Sequence, residues 1–450
     1  MESFAYRVTD GWLRDLASEP TPYNRWPCIR WDEKLLLDQV RFLDVQKELD
    51  TTYNVVWGLF INNSWPVPFE NVIDNKRAEM LKQFVSSVHD HGLKILSGVG
   101  IYSWGFDEVI AKAPEVSAGH RSAMCVFSEK AWEWQKRILD FLMEPRWKLD
   151  GISMQSADQG RCTCEKCSKL SPAEHHAKIL IKSAEYVRSK RPDWVIGQAS
   201  WGLRLDEPSE FEHIKQISKA VDYMVEVNEL SAFTGRRKEI TKGLECAFGS
   251  VGGVFIEPPQ HWDRLRWFVP CGIRSAKALQ QLWLDGGSAC EYFYRPFANP
   301  VEEVSWRTGA MILKNPEMSP ESALCEALKA VYGVNEDQVK DLSDWFIRGE
   351  DAYFTRSNFQ VGNGSLSLEP LIWHENPSVS GPAVYLRDRM SPDARSDYAC
   401  ELEQLKGELL KMELPSTQAL KNTMTAINST LMDIHEISDS SGFGVGMKIA

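Results

Sequence analysis

Over the first 300 residues the spacing of apolar positions switches repeatedly between two periods. Stretches with apolar residues three and four apart predict helices, and short dense runs of β-branched and aromatic residues predict strands. Helices are expected over 32–49, 76–91, 129–143, 172–190, 210–219 and 273–285. Strand runs lie at 53–61, 93–101, 149–154, 194–199, 221–227, 246–256 and 287–293, with a poorly defined first strand near 27–31. Gly92 suits a helix C-terminus and Ser128 an N-cap. Short strands separated by helices imply parallel βαβ units. Eight such units close into a (β/α)8 TIM barrel, whereas an open doubly wound sheet usually has fewer strands.

After Pro296 the strand runs stop. A helix over 302–313 closes the barrel, and helical spacing returns at 320–332, 336–354, 394–412 and 416–437. Residues 362–382 are rich in Gly, Ser and Pro and read as irregular loop, and the polar, Gly-rich end from 438 reads as a loose tail. The expected class is therefore α/β: a catalytic barrel over 1–313 and a mainly helical C-terminal domain over 314–450.

Composition narrows the function. Apolar residues make up 43% and charged residues 25%, which excludes a largely disordered chain. The net charge of −12 repels phosphate backbones, so nucleic acid is not an expected partner. No apolar run approaches the roughly 18 residues of a spanning helix, so no membrane partner is expected. The N-terminus has no basic and apolar leader, which points to the cytoplasm. Nothing in the sequence bears on oligomeric state. Seventeen Trp residues read either as a large aromatic core or as rigid platforms for sugar rings.

A barrel carries its chemistry at the C-terminal ends of its strands. Those ends bring Asn62, Asn63 and Trp65; Tyr102 and Trp104; Gln155, Ser156 and Asp158; Ser200 and Trp201; Glu226, Asn228 and Glu229; Glu257, His261 and Trp262; and Tyr292, Tyr294 and Arg295. Glycoside hydrolysis needs one protonated carboxyl group to donate to the leaving oxygen and one ionised partner as base or nucleophile. Asp158 is the expected acid, with Glu229 and Glu257 as base or nucleophile; Glu226 and Glu291 are the next candidates. Asn62, Trp65, Trp104, Trp201, His261, Trp262, Tyr292 and Arg295 are the expected substrate contacts, the tryptophans as walls. For each carboxylate the plain alternative is a helix cap or an Arg partner.

Close behind Asp158, Cys162, Cys164 and Cys167 place three thiols in six residues. Such a loop suits a structural zinc, with Cys125, from the loop after the third strand, as the expected fourth ligand and His175 or His176 as alternatives. A disulfide within the loop or free thiols are the alternatives. Four protein ligands would brace the loop rather than catalyse. No organic cofactor is expected. The pair His89 and His91 ends a helix ahead of the third strand, at the stabilising face of the barrel, so it is not read as a catalytic metal site.

The run Asp150-Gly151-Ile152-Ser153 followed by Cys162-Thr163-Cys164-Glu165-Lys166-Cys167 resembles an uncharacterised bacterial family similar to α-glucuronidase- and β-hexosaminidase-like barrel glycosidases. Trp306, Asn315-Pro316-Glu317-Met318-Ser319 and Tyr332-Gly333 resemble it more weakly. The resemblance covers roughly residues 30–350. It implies a barrel with a helical C-terminal domain, glycosidase activity and a carbohydrate substrate, with an acid after strand 4 and further carboxylates at later strand ends. One departure stands out. Hexosaminidases that use the substrate's acetamido group carry Asp-Glu after strand 4, and here the pair is Asp158-Gln159. Two other functions compete: a catalytically silent carbohydrate-binding barrel, and a metal-dependent hydrolase or isomerase, which the nine histidines supply poorly.

Overall fold

The computed structural model of the protein describes residues 3–12, 33–61, 64–120, 122–155, 160–200, 203–205, 207–226, 231, 234–252, 268–293, 300–356 and 391–439. Eight parallel strands close into one barrel in sequence order. They are β1 Tyr6–Trp12, β2 Tyr53–Trp57, β3 Lys94–Gly100, β4 Gly151–Gln155, β5 Val195–Ala199, β6 Tyr223–Glu226, β7 Ala247–Gly252 and β8 Ala289–Phe293. Six of them fall inside the expected strand runs, and β4 overruns its run, 149–154, by one residue. The first does not: β1 is Tyr6–Trp12, paired with β2 on one side and β8 on the other, and residues 27–31 lie outside the described ones.

Alternation along each strand sorts the barrel's inside from its outside. Tyr223 on β6 and Ser153 on β4 both donate to Oε1 of Glu291 on β8, at 2.6 and 2.7 Å. Side chains from three alternate strands meet this way only within the barrel. The inward set therefore includes Tyr6, Tyr53 and Tyr223, whose rings gather at the N-terminal end, with Tyr6 5.7 Å from Tyr53 and 5.0 Å from Tyr223. Two glycines make room for large neighbours in this interior. A Cβ on Gly98 would lie 2.3 Å from Trp57, and one on Gly197 would lie 2.2 Å from Tyr223.

The surrounding helices start and stop as their sequence dictates. Asn75–Asp90 is followed by Gly92 at φ +75°, and Leu93 N donates to Val88 O, a Schellman closure. Ser128 accepts from Ala131 N at the head of Glu129–Leu142. Ser171 does the same for Pro172–Lys190, with Pro at the first helical position. Helix Pro300–Lys314 crosses the expected boundary at 313, and Pro320–Tyr332, Glu336–Arg356, Pro392–Leu409 and Gln418–Asp439 follow it. These later helices share one apolar cluster with the strands, from Val55 to Trp345 and Ile427. The expected loop at 362–382 and the tail beyond 439 lie outside the described residues. Among the described residues no helix is long and apolar enough to cross a membrane.

Candidate functional site

The C-terminal mouth of the barrel is where β1–β8 deliver their last residues, and two strand ends there carry polar side chains on described residues. Gln155 ends β4, is 1% exposed, and its side-chain amide makes no hydrogen bond. Glu226 ends β6 and accepts from both the backbone N–H and the hydroxyl of Ser231. Deeper in the barrel, Glu291 is fully enclosed. Burial raises its pKa above the usual carboxylate range, against the opposing effect of the Tyr223 and Ser153 hydroxyls. Its second oxygen has no partner. A neutral carboxyl group is the form that suits such a place.

The expected acid and its partners, Asp158, Glu229 and Glu257, lie outside the described residues, as do Asn62, Trp201, His261, Trp262 and Arg295. Three expected substrate contacts are described, and their side chains are core. Trp65 is 3% exposed and stacks on Phe69, with centroids 5.8 Å apart, while Phe141 meets it edge-on. Its backbone N–H is tied to Gly105 O, which fixes the loop so that the ring turns under the helical layer. Tyr292 sits one residue out of phase with Glu291, so it points away from the barrel. It packs against Trp306 on helix Pro300–Lys314, and its hydroxyl donates to Ser305 O. Trp104 is 2% exposed and meets Trp57 edge-on at 5.6 Å. Both Tyr102 and Trp104 hold positive φ, +60° and +58°, in the loop after β3. That conformation is uncommon outside glycine and costs about 1–3 kcal/mol each.

The cysteine cluster is assembled. Sγ of Cys125 lies 3.8 Å from that of Cys164 and 3.7 Å from that of Cys167, and the four ligand atoms, with Cys162, all lie within 4.8 Å of one another. None of the four is disulfide-bonded. Cys125, from the loop after β3, is the fourth member. His175 and His176 are buried in helix Pro172–Lys190 and belong to no such group. Burial, helped by the Arg161 guanidinium, pushes the His175 imidazole down to about 4. Within the cluster, burial pushes the Cys162 thiol up to about 11 and raises Cys167 as well. The Cys167 backbone N–H, ahead of the neighbouring thiols, brings Cys164 down to about 7. These four residues could hold a metal ion. At the opposite end of the barrel His89 Nε2 bonds Asp150 Oδ2 at 2.9 Å, a structural pair.

The sequence offered Glu291 as a reserve carboxylate and Gln155 as a strand-end residue, but the partners of Glu291, Ser153 and Tyr223, carry no local signal.

No protein-family model matches the chain, and no curated protein does. Solved structures do resemble it. An O-GlcNAc hydrolase mutant from Thermobaculum terrenum is 11% identical, with 97% of this chain and 83% of that one covered at a TM-score of 0.52. A GH138 enzyme targeting pectin rhamnogalacturonan II is 9% identical at a TM-score of 0.62, with 97% of this chain covered and 57% of that one. At these identities the likeness is one of fold, and the fold is a TIM barrel that glycoside hydrolases share.

Proposed function

We propose that the protein is a glycoside hydrolase acting on a carbohydrate by paired-carboxylate chemistry. The observation that carries this reading is the barrel's register. β4, β6 and β7 end at Gln155, Glu226 and Gly252, and Asp158, Glu229 and Glu257 follow within three, three and five residues. Three carboxylates so close behind three strand ends of one barrel match what glycosidic cleavage requires. In this reading Asp158 is the general acid, and Glu229 with Glu257 supplies base or nucleophile. Asn62, Trp201, His261, Trp262 and Arg295 contact the sugar. Trp65, Trp104 and Tyr292 drop out of the contact set because they are core. The cofactor is structural: zinc at the four cysteines. The described helices Pro320–Tyr332, Glu336–Arg356, Pro392–Leu409 and Gln418–Asp439 share the barrel's apolar cluster and are read as bracing it rather than joining the chemistry. That the structural neighbours are a hydrolase of O-GlcNAc and an enzyme targeting pectin supports the class and leaves the sugar open.

A panel of chromogenic glycosides, assayed with wild type and with Asp158→Asn, tests the reading. Asp158→Asn should lower turnover by orders of magnitude on poor leaving groups and much less on activated aryl ones, because only the former need the proton. Equal losses on both would remove Asp158 from the acid role. Sugar binding without cleavage of any substrate would replace the reading with a silent carbohydrate-binding barrel.

A further inference from the structure

The four thiols do more than fall near one another. In a tetrahedron of sulfurs about 2.3 Å from a central zinc, each edge is about 3.8 Å. The Cys125–Cys164 and Cys125–Cys167 separations of 3.8 and 3.7 Å are edges of that size. With all four ligand atoms within 4.8 Å of one another, the space between them admits one ion and no multi-iron core. Thiolates are soft donors, which select zinc over magnesium or calcium. Three of the four residues are buried and Cys164 is half-buried, so the set closes around the ion. A closed four-ligand site has no open position for substrate or water.

We infer that Cys125, Cys162, Cys164 and Cys167 bind one zinc ion that staples the loop after β3 to the loop after β4. Each side of the staple is built. On the β3 side, Met124 N donates to Tyr102 O and Cys125 N to Val116 O, while Ser103 and Ala123 form an antiparallel bridge. Cys125 is thereby fixed to the strained turn at Tyr102 and Trp104. On the β4 side, Ser168 N donates to Cys164 O, Leu170 N to Cys167 O, and the Arg161 guanidinium to Leu170 O. That turn leads directly into the Ser171 cap of helix Pro172–Lys190. The ion cross-links residues 37 apart in sequence, Cys125 and Cys162. Its binding energy is therefore ordering energy for both loops. Four thiolates around a divalent ion leave an excess of two negative charges, and Arg161 and Lys166 stand in the same run of chain.

The consequence for turnover rests on the proposed glycosidase reading, because Asp158 stands four residues ahead of Cys162. With the staple in place residues 160–171 hold one arrangement. Without it the loop opens while the barrel, closed by its own strand pairing, stays folded.

Elemental analysis of the full chain, purified without added metal, should find one zinc per chain. Iron in its place, no metal, or a disulfide among the four overturns the inference. Cys125→Ser should lose zinc affinity by more than about tenfold, since even outer partners of a ligand cost 10–100-fold. Should that variant fail to fold, Cys164→Ser, at the half-buried corner, takes its place. In either variant far-UV circular dichroism should stay at the wild-type level while protease cleavage appears between residues 160 and 171. Wild-type resistance to cleavage in the zinc-free variant removes the stapling role. Turnover on any glycoside that wild type cleaves should fall in step with zinc. If wild type cleaves no glycoside, the glycosidase reading fails, and zinc content and cleavage still decide the staple.

Discussion

At the scale of the residue, direction decides role. Trp65 follows a strand end in the sequence, as a sugar platform would, yet it lies under Phe69 and Phe141. Trp65→Ala should therefore cost about 3–5 kcal/mol of stability, the usual range for deleting a buried aromatic, measured by denaturant unfolding. A loss in sugar affinity with no loss in stability would return Trp65 to the site. Gln155 is the opposite case, a buried amide with no partner. Replacing it with methionine removes an unsatisfied polar group at similar volume. The Gln155→Met variant should match or exceed wild-type stability by up to about 1 kcal/mol. Glu291 adds a pH dependence. Burial raises its folded pKa, so the folded chain holds a proton that the unfolded chain releases above the usual Glu value. Stability from this group is full below that value and declines as pH rises toward the raised one. Glu291→Gln keeps an acceptor for Tyr223 and Ser153 and cannot ionise. Its midpoint advantage over wild type should therefore be larger at pH 8 than at pH 4, and an advantage independent of pH would contradict a raised carboxyl pKa.

At the scale of the element, helix ends carry the argument. Ser171, Ser319 and Ser391 each precede a proline and each accept a backbone N–H three residues on. The proline fills a position whose N–H has no helical partner, and the serine satisfies one that does need a partner. This explains why helix Pro392–Leu409 begins two residues before its first well-spaced apolar position. Ser319→Ala should lower stability by about 1 kcal/mol, read from thermal unfolding. Helix Gly272–Leu284 is capped from a distance. Glu350 on helix Glu336–Arg356 accepts from Ile273 N at 3.1 Å and Arg274 N at 2.7 Å. Burial pushes its carboxyl up to about 7, with the two N–H groups pulling the other way. The sign follows from proton binding: between the ordinary Glu value and about 7 the folded chain holds the extra proton, so stability falls as pH rises through that window. Glu350→Gln should flatten that slope, and an unchanged slope would place the titration elsewhere.

At the scale of the whole molecule, the barrel and the later helices share one core. Phe268 N donates to Thr430 Oγ1, Tyr398 OH donates to Phe268 O, and the Phe268 ring lies 5.0 Å from Trp345. Contacts from three of the later helices thus converge on one residue just ahead of a barrel helix. Unfolding followed by calorimetry and by near-UV circular dichroism should show one coincident transition. Two separated transitions would mean that the apolar cluster linking Val55 to Trp345 and Ile427 does not couple the two parts.

Period and caps are local, and the sequence by itself determined them. Spacing of three and four gave the longer helices but not the short Asp107–Lys112 and Arg237–Gly243, dense apolar runs gave β2 to β8, and Cys162, Cys164 and Cys167 announced their loop. What needed partners distant in sequence was decided only by the tertiary structure. β1 was illegible because its sequence, Tyr6-Arg7-Val8-Thr9-Asp10-Gly11-Trp12, has no dense apolar run. Arg7 instead meets Asp50, and the strand is defined by its pairing with β2 and β8. Cys125 was the expected fourth member, but that it and not His175 or His176 stands beside the other three depends on how the loops after β3 and β4 meet, which no spacing contains. Tyr292 left the rim by a phase of one residue, which the sequence cannot set until closure of the barrel fixes Glu291 inside. A strand's pattern says that two faces differ; which face looks inward depends on the strand beside it.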